Sequence, residues 1–173
     1  RNFLARIPPE GTLSSWAPGD IHNGSETSLT PGAVTALHLV GDTLFVGGRF
    51  KQVGGASRHN LAAIHVPSAT VTDWAPGANQ QVTSLATTGG TLFVGGIFSH
   101  VGGEFRDNLA AFDLPSDAAN AFAPEPDEGV VVLRTDGAGQ LYVGGQFTSI
   151  AGQPRNRLAA FDATGALLPW NPD

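Results

Sequence analysis

The sequence predicts an all-β fold made of repeated four-stranded units. Three near-identical heptapeptides carry this prediction: LFVGGRF at residues 44–50, LFVGGIF at 92–98 and LYVGGQF at 141–147. Their glycine pairs recur at intervals of 48 and 49 residues, and no window shows the 3.6-residue apolar period of a helix. A repeat of this length that holds four short strands is typical of the blades of a β-propeller.

Each copy contains four strand signals separated by turn signals. In the first copy the strands are predicted at residues 34–39, 43–46, 61–66 and 71–74, with Gly, Asp, Pro and Ser between them. A single blade cannot bury both of its faces, so stacking against neighbours explains why the apolar residues are copied. A parallel β-helix is the alternative, but its coils are usually much shorter. A β-sandwich would not need such faithful copies.

The copies divide the chain into parts of one propeller domain that spans residues 1–173. Full blades are predicted at 34–77, 82–125 and 130–173. Residues 1–19 match the second half of a blade, because RNFLARI aligns with RNRLAAF at 155–161 and Trp16 aligns with Trp170. Three blades and a C-terminal half blade do not close a ring, so we expect a piece of a longer propeller. An open or oligomeric arc would leave edge strands exposed.

Residues copied in every blade are predicted to be scaffold. The glycine pair at the end of the second strand suggests a positive φ, a bulge or close approach by a neighbouring blade. A buried aromatic between blades is predicted at Phe50, Phe98 and Phe147. A guanidinium that donates to loop carbonyls is predicted at Arg58, Arg106 and Arg155. An outer aromatic that covers the gap between blades is predicted at Trp16, Trp74, Phe122 and Trp170.

Composition excludes several classes of function. The net charge is −6 and no basic stripe is present, so nucleic acid is not an expected partner. The absence of Cys excludes disulfides, thiolate nucleophiles and Cys-ligated zinc. No window approaches 18 consecutive apolar residues, so no membrane span is expected. A charged fraction of 14%, with abundant Gly, Thr, Ser, Asn and Pro, fits a secreted or cell-surface protein.

Function is expected at the loop positions that are not copied. The link at residues 19–32 is longer than its counterparts and contains a glycosylation sequon at Asn23. Candidate binding residues on unrepeated loops are His22, Asn23, Lys51, Glu104, Asp127 and Glu128. The acidic cluster of Glu125, Asp127 and Glu128 could hold Ca²⁺, although a solvated acidic turn is the favoured interpretation. No catalytic residue, metal-ligand set or other cofactor is predicted.

The motif LFVGGxFxxVGGxxRxNLAAFD, followed by a Trp, resembles the delta-60 family of β-propeller repeats. It is also similar to the kelch-like propeller segment of fungal cortical marker proteins. The likeness covers residues 1–19 and 34–173 and departs mildly at Phe122 and Ala151. The resemblance implies secreted or cell-surface placement and a binding or scaffolding role, and it supplies no catalytic residues.

These observations leave two candidate functions. The first is a non-enzymatic scaffold that binds a protein or a glycan through rim loops, with further propeller blades or copies of the same chain as possible partners. The second is a hydrolase or lyase that acts on polysaccharide at the mouth of the central channel. An enzyme should gather unrepeated carboxylates, His or Tyr at one end of the channel, whereas a binding module should present a patch on one rim.

Overall fold

A computed structural model describes residues 4–10, 14–24 and 32–172. Within these residues all regular structure is β, and the prediction of an all-β fold is confirmed. No helix in the described ranges is long and apolar enough to cross a membrane. In chain order the strands are β1 Ile21–His22, β2 Ala33–Val40, β3 Thr43–Arg49, β4 Gln52–Val53, β5 Ala56–Ser57, β6 Leu61–His65, β7 Thr70–Val71, β8 Val82–Thr88, β9 Thr91–Gly96, β10 His100–Val101, β11 Glu104–Phe105, β12 Leu109–Asp113, β13 Val130–Thr135, β14 Leu141–Gly145, β15 Ser149–Ile150, β16 Gln153–Pro154 and β17 Leu158–Phe161.

Each copy of the repeat builds one antiparallel sheet. The first sheet has the order β2-β3-β6-β7, the second β8-β9-β12 and the third β13-β14-β17. The prediction of four strands in every copy is therefore wrong for the second and third sheets. In the second copy the fourth segment keeps a backbone hydrogen bond from Asn120 to Ala111 at 2.8 Å. In the third copy it keeps an isolated bridge between Phe161 and Leu167, with hydrogen bonds from Leu168 to Ala160 and from Asp162 to Ala166. The residues DAAN before this hydrogen bond in the second copy have low strand propensity, which explains the loss of the ladder.

A small hairpin follows the second strand of every sheet, where the sequence predicts only a turn. The hairpins pair β4 with β5, β10 with β11 and β15 with β16. The long link before the first sheet adds β1 to the first hairpin, with Ile21 opposite Val53 and His22 opposite Gln52. Ile21 is fully buried there. Part of the link's extra length therefore forms a strand that pairs with the first hairpin.

The repeated glycine pairs lie at the end of the second strands, as predicted: they are the last residues of β9 and β14, and only Arg49 follows the pair in β3. Neither Gly47 nor Gly48 has a positive φ, so that alternative is wrong. The partner strand β2 carries a register shift between Val34 and Ala36, as expected for a bulge. Close approach also holds, because a Cβ on Gly47 would lie 2.5 Å from Val82 Cγ1 in the second sheet. The second and third sheets repeat this contact between Gly95 and Val130, again at 2.5 Å.

The hydrophobic core lies between neighbouring repeats rather than within one sheet. One cluster joins the first and second sheets through Phe45, Leu61, Val82 and Phe112. A second joins the second and third sheets, and a third packs Leu4 and Trp16 of the N-terminal segment on the first sheet. Since each sheet buries its apolar residues against neighbouring elements, the repeats stabilise one another. The prediction that Phe50, Phe98 and Phe147 are buried is confirmed.

Hydrogen bonds also join the innermost strands of adjacent sheets. Thr35 Oγ1 donates to Val82 O at 2.5 Å, and the equivalent Thr83 Oγ1 donates to Val130 O at 2.6 Å. His38 Nε2 lies 2.8 Å from Thr87 Oγ1 in the second sheet. Burial in this interface lowers the pKa of the His38 imidazole below its usual 6.5, so the neutral ring is favoured here.

The copied arginines have the predicted role, as do the outer aromatics Trp74 and Phe122, whereas the ring of Trp170 contacts Tyr142 of its own sheet. Arg58 Nη2 donates to Thr72 O at 2.5 Å, and Arg106 and Arg155 donate to the carbonyls of Asn120 and Leu168 in the same way. Each guanidinium thus ties a hairpin to the outer segment of its own repeat. The outer aromatics span sheets, since Trp74 contacts Phe45 and Phe112 edge-on while Phe122 contacts Phe93 and Phe161.

Candidate functional site

The hairpins and the links between sheets form one face of the molecule. Ala78, in the link between the first two sheets, bridges to Val101 of the hairpin β10-β11. Asn60 holds this link from the first sheet, because its Nδ2 donates to Ala78 O at 2.8 Å. Asn60 has φ 61°, a left-handed conformation that Asn tolerates better than most residues. Asn108 makes the equivalent contact to Pro126 O at 2.9 Å.

One side chain in each link caps the next hairpin. Asn79 Oδ1 accepts hydrogen bonds from the backbone N–H groups of Ser99 and His100 at 3.0 and 3.1 Å. Asp127 takes the same position in the next copy and accepts from Thr148 N and Ser149 N at 2.8 and 3.0 Å. Its Oδ2 also accepts from Thr148 Oγ1 at 2.7 Å. These donors, first the Ser149 N–H, lower the pKa of Asp127 to about 2.

We expect the Asp127 carboxyl to titrate with a midpoint near 2, well below its usual 3.8. Because the pKa of the folded state is the lower one, the carboxylate stabilises the fold above pH 3.8, and this contribution is lost as pH falls toward 2. Carbon-detected NMR of the carboxyl group measures the midpoint. The variant Thr148→Val removes one donor and should raise it. A midpoint at the usual value in the unsubstituted chain would contradict the capping geometry.

A cleft of about 780 Å³ lies on this face between the first and second sheets. That volume is in the range of natural ligand pockets. The lining residues come from the link before the first sheet, from the segments on either side of the first hairpin, from the following link and from the second hairpin with the residue that precedes it. They are Asn23, Arg49, Lys51, His59, Asn60, Gly77, Ala78, Asn79, Gln80, Gln81, Ile97, His100, Val101 and Gly103. No carboxylate is in this described lining, whereas two side chains of fixed positive charge are.

The cations of the cleft are not copied from repeat to repeat. Arg49 corresponds to Ile97 and Gln146, and Lys51 corresponds to Ser99 and Thr148. Lys51 is also the only lysine of the chain. Since the scaffold forms in the other copies without these charges, their presence in one copy is typical of a functional position rather than of a folding requirement.

The structure places the six predicted binding residues in different parts of the fold. Asn23 and Lys51 line the cleft, whereas Glu104 follows the lining residue Gly103 without lining the cleft itself. Half-buried His22 lies in β1, with its Nε2 3.9 Å from Asp20 Oδ2. Asp127 and Glu128 belong to the next link and lie outside this cavity. Ser25 of the sequon at Asn23 lies outside the described residues.

The acidic cluster does not form a shared ligand set. The Asp127 oxygens accept hydrogen bonds from residues 148 and 149, while Glu125 and Glu128 are exposed. In the described residues no three His, Asp or Glu side chains converge as ligands of a metal ion would.

Sequence reasoning missed Arg49, His59, Asn79 and His100 as cleft residues. Arg49 differs from its counterparts in the other copies, and so do the residues around His100. That variation was a usable signal. What the repeat alignment does not give is the contact between the first and second hairpins, which places residues 49–51 near residues 97–103.

The opposite face carries grooves of a different kind. A groove of about 560 Å³ lies between the first two sheets beside Phe45, Trp74 and Leu114. Another of about 310 Å³ lies beside Phe93 and Phe122, at the equivalent place between the next two sheets. Because these grooves recur with the copied aromatics, they are a consequence of how the sheets stack.

Comparisons with known proteins bear on the fold. A family model described as a domain of unknown function (DUF5122) beta-propeller matches residues 139–167. No curated protein matches the chain. The computationally designed Ika4 protein is similar in structure, with a TM-score of 0.56 at 13% identity, and the match covers 83% of this chain and 74% of that one.

Two further solved structures align more loosely. The N-terminal domain of Nup159 has a TM-score of 0.40 at 16% identity, with 82% of this chain and 30% of that chain covered. The computationally designed Ika8 protein has a TM-score of 0.38 at 11% identity, with 79% and 60% covered. The third repeat is thus similar to a β-propeller family, and the likeness to Ika4 concerns the fold alone.

Proposed function

We propose that this chain is a non-enzymatic binding or scaffold module that holds a protein or glycan partner in the cleft between its first and second sheets. In this proposal the three sheets are blades of a delta-60-type, kelch-like β-propeller, and residues 1–19 contribute half of a preceding blade. The module is secreted or displayed at a cell surface, in accordance with its low charge and the absence of Cys.

One observation carries the proposal. Several side chains of the cleft, among them Arg49, Lys51 and Ile97, differ between copies, whereas the sheets around it are built from copied residues. A site that departs from an otherwise faithful repeat is where binding residues are expected, because loops carry function on a rigid scaffold. We do not propose the polysaccharide-cleaving alternative, since the acidic candidates Glu104, Asp127 and Glu128 do not line one cavity.

The test compares partner binding by the unsubstituted chain with binding by a variant whose cleft is filled with a bulky side chain. Gln80 lines the cleft and is exposed, so Gln80→Trp should fill it without disturbing the core. Gln153, exposed in the hairpin of the third sheet, provides the matched control Gln153→Trp. A panel of extracellular glycans and peptides should bind the unsubstituted chain and the control, and lose binding to Gln80→Trp. Cleavage of a polysaccharide by the unsubstituted chain, or equal binding by all three proteins, would contradict the proposal.

A further inference from the structure

We propose that the cleft recognises the carboxylates of an extended acidic polypeptide segment. This inference rests on the proposed binding function and names the chemistry of the partner. It is carried by the two fixed cations, by a described lining that holds no carboxylate and by the absence of Trp, Tyr and Phe from that lining.

The two cations point to the same side of the chain. Arg49 and Lys51 flank Phe50, whose side chain is fully buried in the core. Both flanking residues are exposed and both line the cleft. Within the described part of the chain, neither side chain has a hydrogen-bond or ion-pair partner. Among the described residues nothing occupies these donors, in contrast to the guanidinium of Arg58, which is bonded to carbonyls.

The spacing of the cations suits alternate carboxylates. Two residues along a chain separate Cα atoms by at most about 7 Å. Alternate side chains of an extended peptide point to the same side at about the same spacing. An extended segment with an acidic residue at every second position can thus place one carboxylate on Arg49 and the next on Lys51. Charge-assisted hydrogen bonds of this type are stronger than neutral ones.

The remaining lining suits a peptide better than a sugar. Gln80 and Gln81 provide amides that can bond to a peptide backbone. Ile97 is 46% exposed and offers apolar contact to an intervening side chain. The described lining contains no Trp, Tyr or Phe, the side chains that offer a sugar ring a broad apolar face. The chain has a net charge of −6, so a cleft with two cations is a local exception. Its charge favours an acidic partner.

The test uses four fluorescent probes: an acidic (Glu-Thr)₅ peptide, a neutral (Gln-Thr)₅ peptide, a basic (Lys-Thr)₅ peptide and a decamer of uronic acid. Fluorescence anisotropy should detect the acidic peptide, with affinity that weakens as salt rises because surface charges are screened. The double variant Arg49→Gln/Lys51→Gln should lose at least about 10-fold in affinity, the loss expected when charged hydrogen bonds are removed. The exposed Arg157 lies outside the cleft lining, so Arg157→Gln should change affinity less than about 2-fold.

The outcomes separate the inference from the function on which it rests. Equal binding of the neutral peptide, or full affinity in the double variant, would overturn the acidic-segment inference. Binding of the uronic acid decamer without the acidic peptide would also overturn it and make a glycan the ligand. If a ligand other than the acidic peptide binds and is lost in Gln80→Trp, the inference fails while the proposed function stands. If no probe and no captured partner binds, both fail.

Discussion

Replacing Trp74 with alanine is expected to lower the free energy of unfolding by about 3 kcal/mol, at the lower end of the range for buried aromatics because Trp74 is only half-buried. The indole lies edge-on to Phe45 of its own sheet, with ring centroids 5.0 Å apart, and to Phe112 of the next sheet at 5.8 Å. Its Nε1 donates to Ser116 O at 2.9 Å. The substitution therefore removes packing and a hydrogen bond that join two sheets. Urea unfolding followed by circular dichroism measures the loss.

Trp170 provides the matched control, because it has the same position in the third repeat. Its ring contacts Tyr142 of its own sheet at 5.9 Å, and the side chain is 45% exposed. Because this ring contact stays within one sheet, Trp170→Ala should cost about 1 kcal/mol or less. Equal losses for Trp74→Ala and Trp170→Ala would show that the aromatic does not act between sheets.

Alanine at Gly95 is expected to destabilise the fold by about 2 kcal/mol, as overpacking of a close contact usually does. The added Cβ would lie 2.5 Å from Val130 Cγ1 and 3.3 Å from Leu133 Cδ1, both in the third sheet. Val130 and Leu133 are fully buried, so neither side chain can move away without disturbing its neighbours. The change in the urea midpoint at constant slope measures the effect.

Gly144 is the equivalent glycine of the third sheet and serves as the control. A Cβ there would meet Val132 Cγ1 at 2.7 Å, but Val132 is 38% exposed and can turn toward solvent. Gly144→Ala should therefore cost less than about 1 kcal/mol. If Gly144→Ala were as costly as Gly95→Ala, the penalty would come from the strand itself rather than from the neighbouring sheet.

Much of the scaffold could be predicted from the sequence because copied residues have copied contacts. The positions of Phe50, Arg58 and Trp74 recur, and one physical explanation had to fit every copy. The small hairpins were missed because β4, β10 and β15 are two residues long and lie next to Gly-Gly or Ala-Gly turns. Strand propensity is weak at that length, and pairing depends on the link that packs against the hairpin.

The candidate site was less predictable for a different reason. Lys51 and Asn23 could be chosen because they are not copied, but Asp127 was chosen on the same ground and instead caps a hairpin. An acidic side chain that differs from Asn79 in the equivalent position looks functional in sequence, yet both accept the same two backbone N–H groups. Only the packing of the first two repeats shows that Arg49 and His100 face one cleft.

Successive repeats stack face to face through the same contacts. A double-mutant cycle between Gly95 and Val130 is the measurement that tests this stacking. Gly95→Ala and Val130→Ala are each expected to destabilise, because the first overpacks the interface and the second leaves a cavity. Together they should compensate, since the shortened side chain at 130 makes room for the new Cβ, with a coupling energy of at least about 1 kcal/mol. Additive losses would contradict the contact between the second and third sheets, and with it the stacking on which the cleft depends.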